Sequence, residues 1–179
     1  MSVLPPQEVK TEAKTIAQSR VELIQLMGPQ NANSLGNVHG GHIMKLCDEA
    51  GALAAMRHAQ SIVVTVAMDS MTFDEPILVG HLVKISAELT YAGRTSMEAR
   101  VEVIAEHPLT GEKTHTNRAY LVYVAIDSQH KPRPVPPLVA TTPEEEAIMQ
   151  AARERQEYRK LRNVREEQII HMQAQNKPT

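Results

Sequence analysis

Two adjacent carboxylates, Asp48 and Glu49, interrupt a segment whose apolar residues recur at helical spacing. A carboxylate there is either a solvated edge position or a proton acceptor held in a partly apolar setting. Periodicity alone does not choose between these, but the surroundings favour the second. The segment opens with Gly40-Gly41, and the first amides of a helix lack partners within it, so glycine lets a substrate oxygen approach them closely. The preceding stretch carries Asn31, Asn33 and Asn37, any of which can polarise a carbonyl or position water. A carboxylate beside such donors is the layout of a general base next to an oxyanion site.

Other reactive side chains narrow the chemistry. His39, His42, Asp48 and His58 do not follow the four-residue spacing of a zinc-binding helix, and no second cluster follows, so no metal is expected. Cys47 falls within the apolar stripe, where a buried, inert thiol is expected. Ser70 and Ser96 lack the flanking glycines of a nucleophile elbow. Arg57-His58 near the helix end and Arg94-Thr95-Ser96 at a turn are the best-placed anion-binding groups, because guanidinium forks and hydroxyls suit phosphate.

These residues need elements to position them. The pattern predicts a short strand from Val21, an Asn-rich loop, and a helix from about Gly41 to about Ala59 with Ile43, Leu46, Cys47, Ala50, Leu53 and Ala54 on its buried arc. Small residues around Gly51 imply close packing against other backbone, which offsets the roughly 1 kcal/mol that a mid-helix glycine costs. Four strands are expected at 62–71, 82–91, 96–106 and 114–126, the last three as an antiparallel meander with one wet face. Only one long helix is available to cover about five strands, so the fold class is α+β, a sheet curled around a single helix. The proline-rich run 131–138 reads as an extended strap. Thr142-Pro143-Glu144-Glu145 starts a second helix reaching about Gln173, whose balanced charges suggest a solvated rod with intrahelical pairs. Its stripe of Tyr158, Leu161, Ile169 and Met172 is interrupted by Arg165. Residues 1–20 read as a flexible lead-in, 21–138 as the domain, and 139–179 as a charged helical extension that packs on its own or a neighbouring subunit.

The 179 residues carry 19 Lys plus Arg against 21 Asp plus Glu, a net charge of −2 that argues against a nucleic-acid binder. One cysteine cannot form an internal disulfide, and no apolar run suggests a signal peptide or membrane span, so the expected setting is the cytoplasm. With one Phe, four Tyr and no Trp against nine Met, the core must be aliphatic.

The segments Asn31–Gly41, Leu46–Gly51, Ala55–His58, Val64–Asp69, Tyr91–Met97 and Lys131–Leu138, taken in order, resemble the hotdog-fold acyl-coenzyme A thioesterases of the cytosolic acyl-CoA hydrolase type. The resemblance covers about residues 21–138. It implies a hotdog fold, a five- or six-stranded antiparallel sheet around one long helix, and hydrolysis of acyl-CoA to free acid and coenzyme A. It implies no cofactor beyond the coenzyme A of substrate and product. It selects Asn33 among the asparagines and Asp48 as the catalytic pair, supplied by different subunits. Asp48 would activate water or attack directly, while Asn33 and the backbone at His39, Gly40 and Gly41 would hold the thioester oxygen. Arg57, His58, Arg94, Thr95 and Ser96 fall where the resemblance puts coenzyme A contacts. A dimer, commonly three dimers in a hexamer, is implied.

Two other functions compete. A hotdog hydratase or dehydratase of enoyl or 3-hydroxyacyl thioesters would use Asp48 with His39 or His42. A non-catalytic acyl-CoA sensor would bind ligand and recruit a partner through its charged terminal helix.

Overall fold

The computed structural model of the protein describes residues 12–175. Five strands, β2 (Val21–Leu26), β3 (Ile62–Met71), β4 (Leu82–Ala92), β5 (Ser96–Glu106) and β6 (Lys113–Ile126), form one antiparallel sheet in the order β2-β4-β5-β6-β3. A two-residue strand β1 (Lys14–Thr15) pairs in parallel with β7 (Leu138–Val139) beside it. Helix α1 (Gly40–Ala59) packs against strands β2 to β6, and α2 (Pro143–Gln175) follows the strap.

Alternation makes the sheet. Val83, Ile85, Ala87 and Leu89 of β4, Met97, Ala99, Val101 and Val103 of β5, and Ala119, Leu121 and Tyr123 of β6 are buried. They meet Ile43, Leu46, Cys47, Ala50 and Ala54 of α1, so the core is aliphatic as the composition requires. Leu53 departs from its expected place in the arc: it is exposed. Gly51 is buried because Tyr123 lies across it; a Cβ would collide with the phenol hydroxyl and stand 3.1 Å from two ring carbons.

Strand β3 is irregular. Its ten residues oppose only eight of β6, with breaks in register that leave Val66 and Asp69 as the extra residues. Each bulge bends the strand and re-aims neighbouring side chains.

Three expectations are corrected. The lead-in does not extend to residue 20: Ile16 is wholly buried and Ser19 accepts the Leu89 amide at 2.9 Å, so residues 14–20 belong to the domain. What was expected of 1–11 lies outside the described residues. The outer face of the sheet is not simply wet, because α2 lies across it. Nor is α2 a solvated rod held by intrahelical pairs. Its Thr142 cap, Pro143 start and buried Met149 and Ala152 lead to arginines that reach the sheet. Arg155 pairs with Glu98 at 2.7 Å and stacks on Tyr120, and Arg159 bridges Glu98 (2.9 Å) and Asp69 (2.5 Å). Glu98 is only 1% exposed, so the charge balance that reads as solvation is a buried ion cluster.

Candidate active site

The loop before α1 is held by its own asparagines. Asn31 is buried and consumed: its Oδ1 accepts the Gly28 amide at 2.9 Å, its backbone carbonyl accepts the His39 amide at 2.7 Å, and its Nδ2 lies 3.1 Å from His42 Nε2. Asn33 differs. Its Oδ1 accepts the amides of Leu35 (2.8 Å) and Asn37 (3.2 Å), an Asx-type closure that fixes the side chain. Its two N–H donors make no hydrogen bond among the described residues.

At the start of α1, His39 is the N-cap, and its Nδ1 accepts the Gly41 amide at 2.9 Å. The Gly41 amide is therefore taken up within the helix cap, whereas His39, accepting at Nδ1, keeps its Nε2–H free among the described residues to donate from an exposed position. The Gly40 amide has no partner among the described residues, and the Phe73 ring lies 3.1 Å from where its Cβ would stand. Any side chain there would press on that ring.

Asp48 is half-buried on α1. Its Oδ1 accepts hydrogen bonds from Thr65 Oγ1 at 2.7 Å and Tyr123 OH at 3.2 Å; the phenol also lies 3.0 Å from the Asp48 carbonyl. Thr65 and Tyr123 are register partners on β3 and β6, so both side chains rise from one face of the sheet toward the helix. Burial first, and then the neighbouring Asp48 charge, push the Tyr123 phenol well above its ordinary range, so it remains a donor. Asp48 Oδ2 has no partner among the described residues. Cys47 is wholly buried, and burial with the adjacent carboxylate pushes its thiol up to about 12, which removes it as a nucleophile.

Eight helical positions separate Gly40 from Asp48, an axial distance of about 12 Å. Within one chain the structure therefore joins Asp48, Thr65 and Tyr123, and separately Asn33 and Gly40, without joining the two groups.

The anion-binding candidates also divide. Arg94 is exposed at the tip of the β4–β5 hairpin, next to half-buried Thr95 and Ser96, and the hairpin is fixed through the Arg94 and Thr95 carbonyls, which accept the Val135 and Ala125 amides at 3.0 Å. Exposed Arg57 donates to the Arg20 carbonyl. His58, expected beside it as a coenzyme contact, is wholly buried: its Nε2 is 2.8 Å from the Pro136 carbonyl, so it fastens the strap to α1. Sequence reasoning missed Thr65 and Tyr123; the available signal was a hydroxyl set within an apolar run of each strand, residues 62–68 and 121–126. Among the described residues no group of three His, Cys, Asp or Glu is placed to hold a metal.

One helix clasped by a curled antiparallel sheet is the hotdog fold. The sequence pattern of the thioesterase superfamily matches residues 35–112. A Bacillus subtilis protein named as an uncharacterized acyl-CoA thioester hydrolase is 33% identical over 167 residues, covering 93% of this chain and 97% of that protein. An acyl-CoA hydrolase of Staphylococcus aureus, solved with butyryl coenzyme A, coenzyme A and coenzyme A disulfide, superposes with a TM-score of 0.83 at 31% identity, covering 90% of this chain and 99% of that one. Further structures of that enzyme carry Asn→Ala, Asp→Ala and Thr→Ala substitutions. A hexameric acyl-CoA thioesterase superposes with a TM-score of 0.82 at 39% identity, covering 85% and 97%. The chain belongs to the thioesterase superfamily.

Proposed function

We propose that the protein hydrolyses acyl-CoA thioesters to free acid and coenzyme A at sites each built from two chains. The observation that carries this reading is the division of the machinery: an aimed carboxylate in one place, and unpaired N–H donors about 12 Å along the same helix. Both must lie near the reacting carbon, at about 3 Å from the nucleophile and from the developing oxyanion. A second copy brings its Asn33 and Gly40 to the Asp48 of the first.

Asp48 Oδ2 accepts a proton from water while the water oxygen bonds to the thioester carbon. The carbonyl electrons move onto oxygen, where the Gly40 N–H and an Asn33 N–H hold the charge. Collapse breaks the C–S bond, and the thiolate leaves, taking up the proton that Asp48 holds. Thr65 and Tyr123 keep Oδ1 fixed so that Oδ2 faces the water. No metal or serine nucleophile enters the scheme. Arg94, Thr95 and Ser96 suit the phosphates of coenzyme A, and exposed Arg57 offers a separate cation.

The free edge of β3 supports the dimer. Ile62, Val64 and Val66 are exposed on a ten-residue strand that has a neighbour on one side only among the described residues, a template for pairing with its own symmetry mate. A hexamer of three such dimers is in keeping with the hexameric relative, and a cytoplasmic setting with the buried, free Cys47. The hydratase alternative gains no support, since His39 caps α1 and His42 faces Asn31 rather than Asp48.

Mixing subunits tests the reading. Asn33→Ala and Asp48→Ala homo-oligomers should each release little thiol from acyl-CoA, while equal mixtures exchanged at random should recover about a quarter of the wild-type rate. No recovery in demonstrably mixed oligomers would exclude a two-chain site. Ligand binding without turnover by the wild type would favour the sensor.

A further inference from the structure

Helix α2 crosses the sheet from one edge to the other. Glu145 lies 3.5 Å from Arg20 beside β2, Arg155 meets Glu98 on β5 and Tyr120 on β6, and Arg159 and Arg162 meet Asp69 on β3 at 2.5 and 3.6 Å. Among the described residues no strand lies beyond β3, yet the helix continues through thirteen more residues, about 20 Å, with its side chains exposed as far as Met172. An apolar stripe spans that crossing, with Tyr158 and Leu161 before Arg162 and Ile169 and Met172 on the overhang, 71, 70, 41 and 56% exposed.

The stripe is symmetric about Arg165. Its members stand seven and four residues before that position and four and seven after it, all within one flank of the helix. Two such helices laid antiparallel, with a twofold axis at residue 165, bring Tyr158 of each against Met172 of the other and Leu161 against Ile169. This is an isologous, self-complementary contact. If β3 pairs with its symmetry mate, the seam lies half an interstrand spacing, about 2.4 Å, beyond the strand that Arg159 and Arg162 both reach through Asp69, and the stripe spans that edge.

We infer that the distal half of α2 is a dimerisation element that packs antiparallel on α2 of a second copy, directly over the β3 seam. The inference rests on the β3-edge dimer proposed above, and it assigns the stripe a single occupant. Asp69, the second bulge residue of β3, is then the post that sets where the helix crosses the seam. Arg165 faces its own mate at the axis, so this contact is held below its full strength by like charge.

Cysteine cross-linking and self-association together test it. Arg165→Cys should form a covalent dimer on mild oxidation, because its mate lies at the axis, whereas Tyr158→Cys should not, its own mate standing about 21 Å away along the helix. Wild-type protein, with only buried Cys47, is the control. Arg165→Leu should tighten the dimer several-fold, and Leu161→Glu should weaken it at least tenfold, in sedimentation equilibrium. All these positions are exposed, so the fold should persist. If Arg165→Cys fails to cross-link while Val66→Lys still dissociates the dimer, the helix contact is overturned and the β3 dimer stands. Cross-linking that persists in an Arg165→Cys, Val66→Lys double variant shown to have lost the β3 seam overturns the placement over that seam. A wild-type monomer at all concentrations removes both.

Discussion

Asp48 owes its aim to two hydroxyls from two strands, and the two contribute differently. Thr65 is exposed and within 2.7 Å, whereas Tyr123 is buried, donates at 3.2 Å, and also braces the helix backbone through the Asp48 carbonyl. Thr65→Val should therefore lower kcat for thioester hydrolysis by about tenfold with KM little changed, the loss of one charge-assisted hydrogen bond to the reacting group. Tyr123→Phe should lower kcat comparably and also destabilise the fold by about 1 kcal/mol, as a lost buried hydrogen bond does. Steady-state thiol release with a denaturant titration of each variant checks this. A Thr65→Val enzyme with raised KM and unchanged kcat would make Thr65 a substrate contact instead. The carboxylate itself was legible in the sequence because an acid in an apolar helix is conspicuous. Its two orienting hydroxyls were not, because each sits in a strand where Thr or Tyr is ordinary, and only the register that places residue 65 opposite 123 shows that they converge.

The elements were largely readable for the same reason that they are stable. Strict alternation on β4 and β5 and a three-and-four period on α1 place those boundaries within a residue of the observed ones. Contacts between elements were not readable. Balanced charges on α2 look like a solvated surface until Glu98 and Asp69 are found beneath Arg155 and Arg159, and an expected phosphate-binding histidine becomes the fastening of a strap. His58 has a pH consequence. Burial lowers its pKa from the ordinary 6.5, outweighing the Pro136 hydrogen bond, with the Lys14 charge adding to the lowering. The unfolded chain thus binds a proton that the folded chain refuses. The stability contributed by neutral His58 is fully present above pH 6.5 and is lost as pH falls through the folded value. Thermal melts between pH 8 and pH 5 should therefore fall less for His58→Gln than for the wild type. An identical slope would show that the ring is not held neutral.

At the scale of the whole molecule, the proposed two-chain site ties activity to assembly, because one chain would then hold half of each of two sites. If the β3 seam builds the site, specific activity should decline on dilution with the same midpoint as the dimer signal in analytical ultracentrifugation, and Val66→Lys should shift both midpoints together. Full activity of a demonstrated monomer would contradict that linkage. The bulges give β3 two duties four residues apart. Thr65, before the first, faces Asp48; Asp69, the extra residue of the second, faces outward to the helix that overhangs the edge.

The one cysteine, Cys47, is wholly enclosed by the core and has a thiol pushed up to about 12. Folded protein is therefore silent toward thiol reagents, and in a hydrolysis assay every equivalent they detect is coenzyme A released. Once the core opens, each chain yields one equivalent of its own. The same colour reaction that counts turnovers also counts unfolded chains, so the molecule carries its own measure of how much of a preparation is native.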